Sequence, residues 1–214
     1  ERNRLIAIDT ANPAKDKWQA LIAESDALLQ QVSLVNGQFV ASYLRDARSE
    51  IKLFDAAGKP KQDIALPGLG TATGFDGAVE DKETFFAFGS WAVPDTVYRL
   101  DLTTGTTSVF KAPTVKFNVD DYETTQVFYP SKDGTKVPMF ITAKKGLVRD
   151  GNNPTILYGY GGFNIAVTPK FSPAIVEWME LGGVYAVANL RGGSEYGRSW
   201  HEGGMKLNKQ NVFD

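Results

Sequence analysis

Arg4-Leu5-Ile6-Ala7-Ile8-Asp9, Glu50-Ile51-Lys52-Leu53-Phe54-Asp55 and Thr96-Val97-Tyr98-Arg99-Leu100-Asp101 are three copies of one pattern, and their terminal aspartates fall 46 residues apart each time. Before each aspartate stands an apolar residue (Ile8, Phe54, Leu100), with a second one four positions back (Leu5, Ile51, Val97). After it come turn formers: Asn12-Pro13, Gly58 and Gly105. A strand that ends in an Asp-led turn and returns as a second strand is a hairpin, because the Asp side chain accepts hydrogen bonds from backbone just beyond it. The returning strands are predicted at Trp18–Ile22, Gln62–Leu66 and Thr107–Phe110, and two more β-rich runs, Gln38–Leu44 and Thr84–Phe88, lie between the hairpins. About four short strands in a period of roughly 40 to 50 residues is the pattern of a β-propeller blade. A β-sandwich with accidental spacing is the alternative. Two and a half blades do not close a ring, and they leave strand edges unpaired, so more propeller is expected elsewhere in the polypeptide. The three aspartates are read as turn residues, not catalytic ones.

Composition narrows the rest. A chain of 214 residues has room for two domains, each with its own core. Hydrophobic residues at 43% and charged residues at 22% match a water-soluble globular protein. A net charge of −2 supplies no concentrated basic face, so neither nucleic acid nor an anionic membrane surface is expected as a partner. No apolar run reaches the roughly 18 to 20 residues that span a bilayer, and no signal-peptide pattern follows Glu1-Arg2-Asn3-Arg4. Zero cysteines exclude disulfides, thiolate metal sites and cysteine nucleophiles, and one histidine is too few for a histidine zinc site, so no metal and no cofactor is expected. A cysteine-free chain fits a reducing compartment, which makes the cytoplasm the expected location and the periplasm the alternative. The sequence opens without Met and stops at Asn211-Val212-Phe213-Asp214 with no Gly or Pro to close an element; it reads as a segment of something longer.

Near Lys111-Ala112-Pro113-Thr114 the repeat stops and the character changes. Glu123–Tyr129 and Lys136–Thr142 flank Ser131-Lys132-Asp133-Gly134, whose Asp-Gly pair predicts a hairpin. Pro154–Tyr158 is a short apolar run that ends in the glycine-rich Gly159-Tyr160-Gly161-Gly162-Phe163-Asn164. A helix is predicted next, with Ser172 as N-cap, Pro173 at its first position, Ile175, Val176 and Met179 on one apolar stripe, and Gly182-Gly183 as its stop. Val184–Leu190 is continuously apolar, as in a strand covered by helices on both faces. Strand, loop, helix and strand make a βαβ unit, and Arg191–Gly197 leaves the carboxyl end of its second strand, where open α/β sheets place their ligands. The fold expected from these patterns is a β-propeller portion over residues 1–114 followed by an α/β portion over residues 115–214, both incomplete.

Leu157-Tyr158-Gly159-Tyr160-Gly161-Gly162-Phe163-Asn164, Ala188-Asn189-Leu190-Arg191-Gly192-Gly193-Ser194-Glu195-Tyr196-Gly197 and Trp200-His201-Glu202-Gly203-Gly204 together resemble the prolyl oligopeptidase family in order and spacing. The resemblance covers most of residues 115–214; the first half matches in architecture more than in letters. It implies a propeller capping an α/β-hydrolase domain, which makes residues 115–214 an α/β-hydrolase portion, in a serine-type oligopeptidase that cuts short peptides on the carboxyl side of proline with a Ser, Asp, His triad in that chain order. None of the triad is expected here. The nucleophile of such a domain sits in G-x-S-x-G, which does not occur in this sequence, so the segment alone is expected to be inactive. Ser194 has glycine before it but Tyr196 where that motif needs glycine, and it stands where many members have Gly, a departure that touches loop conformation. His201 precedes the position of the family's catalytic histidine and is read as structural.

By the same resemblance the Tyr160 hydroxyl is one of two oxyanion-hole donors, and Phe163 is an apolar wall near the pocket for a proline ring. The chemistry suits the first role: a phenol with pKa near 10 is a neutral donor at pH 7. Tyr158 is read as core, and Gly159, Gly161 and Gly162 as serving backbone geometry. The expected partners are short proline-containing peptides and the remainder of the same polypeptide. Three competing readings stay open. A basic-residue-specific oligopeptidase of the same family usually shows Ser-Tyr-Gly in place of Gly162-Phe163-Asn164; a propeller-containing binding module would be complete as given; an esterase of the same hydrolase fold would have little use for a propeller.

Overall fold

A computed structural model describes residues 1–214. The repeat folds into antiparallel sheets. One four-stranded sheet runs β3 (Leu28–Val35), β4 (Gln38–Arg45), β5 (Arg48–Asp55), β6 (Pro60–Ile64), and a second runs β7 (Thr71–Gly74), β8 (Glu83–Gly89), β9 (Thr96–Asp101), β10 (Thr106–Lys111). A two-stranded sheet of β1 (Leu5–Ala7) and β2 (Gln19–Ile22) precedes them. The repeated hairpins are thus the last two strands of each sheet, and the aspartates do turn work. Asp9 Oδ1 accepts the Ala11 N–H at 2.9 Å, Asp55 Oδ1 accepts from Ala57 and Lys59 at 2.9 Å each, and Asp101 Oδ1 accepts from Thr103 at 2.8 Å and Thr104 at 3.1 Å. Strands β3 and β7 had no clear sequence signal. β7, with Thr71, Ala72, Thr73 and Gly74, is a strand because β8 pairs with it, placing Ala72 opposite Phe88.

The core between the two sheets is aromatic. Phe86 stacks between Phe75, at 4.8 Å, and Tyr98, at 5.3 Å, and the cluster continues through Ile51, Leu53 and Val40 of the neighbouring sheet. Each such side chain withdrawn from water contributes about 2 kcal/mol. Period-2 alternation of β5 delivers Ile51 and Leu53 to one interface, and hydrogen bonds add to the burial there: Gln38 donates to the Leu102 carbonyl at 2.8 Å and the Ala72 N–H to the Ser49 hydroxyl at 2.9 Å.

After Lys111 the chain builds a mixed sheet in the order β11 (Tyr122–Pro130), β12 (Lys136–Lys144), β14 (Val184–Ala188), β13 (Thr155–Gly159). β13 and β14 are parallel and joined through helix α1 (Pro173–Glu180), which is the predicted βαβ unit. Two details differ from expectation. Ser172 does not cap α1 with its side chain; its carbonyl accepts the N–H groups of Ile175 and Val176 instead. The stop is as read: Gly182 takes φ +88°, its N–H meets the Met179 carbonyl at 3.0 Å, and Gly183 N–H reaches Trp178 at 3.0 Å. The second difference concerns β14, which lacks helices on both faces. On one face Phe140, Tyr185 and Val187 pack with Ile175 of α1 and with Ala47 and Trp91 from the blades. The other face, where register places Met139, Ala188 and Gly159 side by side, opens on an apolar hollow of about 540 Å³.

The β4–β5 turn is where blades and mixed sheet lock together. Asp46 (φ +50°) and Ala47 (φ +62°) are both left-handed without being glycine, which costs on the order of 1 kcal/mol each. Tertiary contacts offset that cost. Ala47 is fully buried in the Phe140 cluster, the Asp46 carbonyl accepts the Gln126 amide at 2.5 Å, and Asp46 Oδ1 accepts the Tyr196 hydroxyl at 2.7 Å. Burial and the Asp46 carboxylate push the Tyr196 phenol well above its ordinary range, so it remains a donor throughout the physiological range.

Candidate active site

Two glycine-rich bends leave the carboxyl ends of neighbouring parallel strands: Tyr160–Asn164 after β13, and Asn189–Gly197 after β14, with Gly159 and Ala188 in register. Sterics weld the bends to each other. A Cβ at Gly161 would lie 2.4 Å from the Arg191 carbonyl oxygen and 2.5 Å from Val212, and Gly192, at φ +98°, would meet the Gly161 carbonyl oxygen at 2.8 Å. The Asn164 N–H donates to the Gly192 carbonyl at 3.0 Å, and Lys209 donates to the Gly161 carbonyl. Phe163 (φ +54°) and Asn164 (φ +58°) are both left-handed, which bends the chain sharply back.

That bend presents Tyr160 with 36% exposure to a crevice of about 420 Å³. Tyr158 and Tyr185 line it from the strands, Ile165 and Val167 from the loop, and Trp91 from the blades. The phenol is a hydrogen-bond donor in a crevice that is otherwise mostly apolar and that Trp91 of the propeller portion helps to line. Tyr158, expected in the core, is 45% exposed and belongs to this wall. Phe163 stands apart, 84% exposed and outside the lining of the crevice.

His201 Nδ1 lies 2.7 Å from the Gly192 carbonyl oxygen, which can only accept, so Nδ1 carries the proton and the ring pins the second bend. Ser194 lines the same polar hollow as His201 without a hydrogen bond to it, so no Ser–His pair is formed. The β11–β12 hairpin is tied in by Arg191, which is buried: it reaches the Asp133 carboxylate at 2.5 Å and the Ser131 hydroxyl at 2.8 Å. Arg191, followed by the Thr135 N–H, holds the Asp133 carboxyl below the usual aspartate range. An aspartate depressed in the folded state adds stability above its unfolded pKa, about 3.9, and loses it as pH falls through the lower folded value. Asp133→Asn is therefore expected to melt below wild type at pH 7, with the gap closing below about pH 4. Melting curves that stay equally far apart from pH 7 to pH 3 would rule out charge as the cause.

Two antiparallel sheets stacked through an aromatic core, joined to a mixed sheet with a βαβ unit, define a propeller portion followed by an α/β portion, and a tyrosine crevice lies where the two meet. Residues 1–113 match the model of the prolyl oligopeptidase N-terminal β-propeller domain, and residues 169–214 match that of the prolyl oligopeptidase family. The chain belongs to the prolyl oligopeptidase family. It is 46% identical to a prolyl endopeptidase of Elizabethkingia meningoseptica over 99% of its own length and 30% of the relative's. It is 38% identical to a dual function macrocyclase-peptidase of Amanita bisporigera, again over 99% of this chain and 30% of that one. A solved structure from a study of two prolyl endopeptidases superposes with a TM-score of 0.93 at 44% identity, covering 100% of this chain and 32% of the other. Prolyl oligopeptidase B of Galerina marginata bound to a 35mer hydrolysis and macrocyclization substrate superposes at 0.90 with 36% identity, over 100% of this chain and 30% of that one. The chain thus spans about a third of the length of these relatives.

Proposed function

We propose that this chain is part of a serine-type oligopeptidase that cleaves short peptides on the carboxyl side of proline, with propeller up to residue 114 and hydrolase from 115 onward. The triad lies outside the segment, and the remaining polypeptide completes ring and hydrolase. The observation that carries this reading is the Tyr160 ring, half-open at the carboxyl end of β13 in a crevice shared with Trp91. Its hydroxyl is one donor to the oxyanion that builds on the scissile carbonyl, and a preorganised donor in such a site contributes about 3 kcal/mol to the transition state. Phe163, held out from the bend, offers its ring as an apolar wall for the proline once the rest of the protein packs around it. Hydrolysis is the reading taken over macrocyclization because the two Elizabethkingia prolyl endopeptidases stand at 46 and 47% identity, while the macrocyclase-peptidases stand at 38 and 39%, level with the prolyl endopeptidase of Dictyostelium discoideum at 39%.

The full-length protein is expected to release reporter from a Gly-Pro peptide faster than from an Arg-Arg peptide, and to be labelled by a fluorophosphonate probe that leaves residues 1–214 unlabelled. Preference for the basic peptide would move the assignment to the basic-residue branch. Labelling of the segment would mean that the nucleophile lies within it.

A further inference from the structure

The side chain of Glu195 is completely buried, with 0% exposure, in the bend after β14. A carboxyl group withdrawn from water is costly unless donors meet its oxygens. Oε1 accepts the Val167 N–H at 3.0 Å and the Asn189 amide at 3.4 Å. That same amide donates to the Val167 carbonyl at 2.6 Å. Two side chains therefore occupy both polar backbone groups of one residue, as a neighbouring strand would, although Val167 lies in no strand. Gly193 makes the room: a Cβ there would stand 2.2 Å from Glu195 Oε2 and 2.7 Å from the Ile165 carbonyl oxygen.

The arrangement is not optimised for stability, since Glu195 Oε2 and Asn189 Oδ1 are buried without partners even though the Val167 backbone is fully paired. What the pair achieves is geometric. It fixes the stretch from Ile165 to Thr168, which walls the crevice together with Tyr160. Burial also pushes the Glu195 carboxyl above the usual glutamate range, the direction expected of a carboxyl withdrawn from water.

We propose that Glu195 is a positioning residue for peptide cleavage: with Asn189 it braces Val167, and through that wall it holds the Tyr160 hydroxyl where the oxyanion forms. The inference rests on the assignment of Tyr160 made above. Its test is a double-mutant cycle in the full-length protein, read as kcat and KM on a Gly-Pro reporter peptide. Glu195→Ala is expected to lower kcat on the order of tenfold to a hundredfold with KM little changed, since misplacement of a reacting group by about 1 Å carries such a penalty. Glu195→Gln keeps the side-chain length and an acceptor for the Val167 N–H, so it should retain most of the wild-type kcat. In a Tyr160→Phe background, Glu195→Ala should add little, because the group it positions is already gone. Losses that multiply independently, or a Glu195→Gln as impaired as Glu195→Ala, overturn the inference. So does an unimpaired Glu195→Ala beside an impaired Tyr160→Phe, which leaves the role of Tyr160 standing. A Tyr160→Phe with wild-type kcat removes the oxyanion assignment itself and the inference with it. Should Glu195→Ala fail to fold, Glu195→Asp, which withdraws the carboxyl by one methylene, carries the same expectations.

Discussion

In the full-length protein, Tyr160→Phe is expected to lower kcat for a proline-containing peptide by about a hundredfold to a thousandfold, the usual cost of removing one oxyanion donor. The substitution deletes one oxygen. It keeps the ring against Tyr158 and Trp91, so the crevice retains its shape and KM should move little. The effect concentrates in kcat because the donor meets charge that exists only in the transition state. A loss confined to KM would recast Tyr160 as a ground-state contact. Melting temperature serves as the control, since the fold has no hydrogen bond from the Tyr160 hydroxyl to lose.

The largest stability effect is expected at Phe140. Its ring is fully buried among Ala47 and Trp91 of the blades and Tyr185 and Val187 of the mixed sheet, so it joins the two portions. Phe140→Ala removes the ring and leaves a void that neither side can close, because Trp91 is held edge-on to Tyr185 at 5.4 Å. The expected cost is about 3 to 5 kcal/mol, measured from denaturant midpoints of the full-length protein. Phe140→Leu, nearer in volume, should cost about 1 kcal/mol. Equal, small losses for both would indicate that the junction relaxes around the gap.

Much of the site was readable from residue order. Tyr160 lies between glycines after an apolar run, and no contact from elsewhere was needed to place it at a strand end. Tyr158, expected in the core, lines the crevice beside Tyr160, because an apolar run does not say which of its residues face a cavity. Glu195 was passed over. An acidic residue in a glycine-rich bend directly after a buried strand was the available signal, but its partner Val167 is 28 residues away and donates only backbone. The strained Asp46-Ala47 turn was equally silent, because the usual glycine is absent and contacts with Gln126 and Tyr196 hold it.

The amino-acid sequence by itself determined the blade repeat, the Asp-led turns, the βαβ unit and the glycine bend that carries Tyr160. All of these depend on side chains and backbone within a few residues of one another, where spacing and turn chemistry act directly. Only the tertiary structure decided how the Asp46 turn seats against the mixed sheet, and that Glu195 and Asn189 hold Val167 in the wall beside Tyr160. Those outcomes arise from packing and buried hydrogen bonds between segments far apart in the chain, and a periodic pattern in one segment carries no record of what another will press against it.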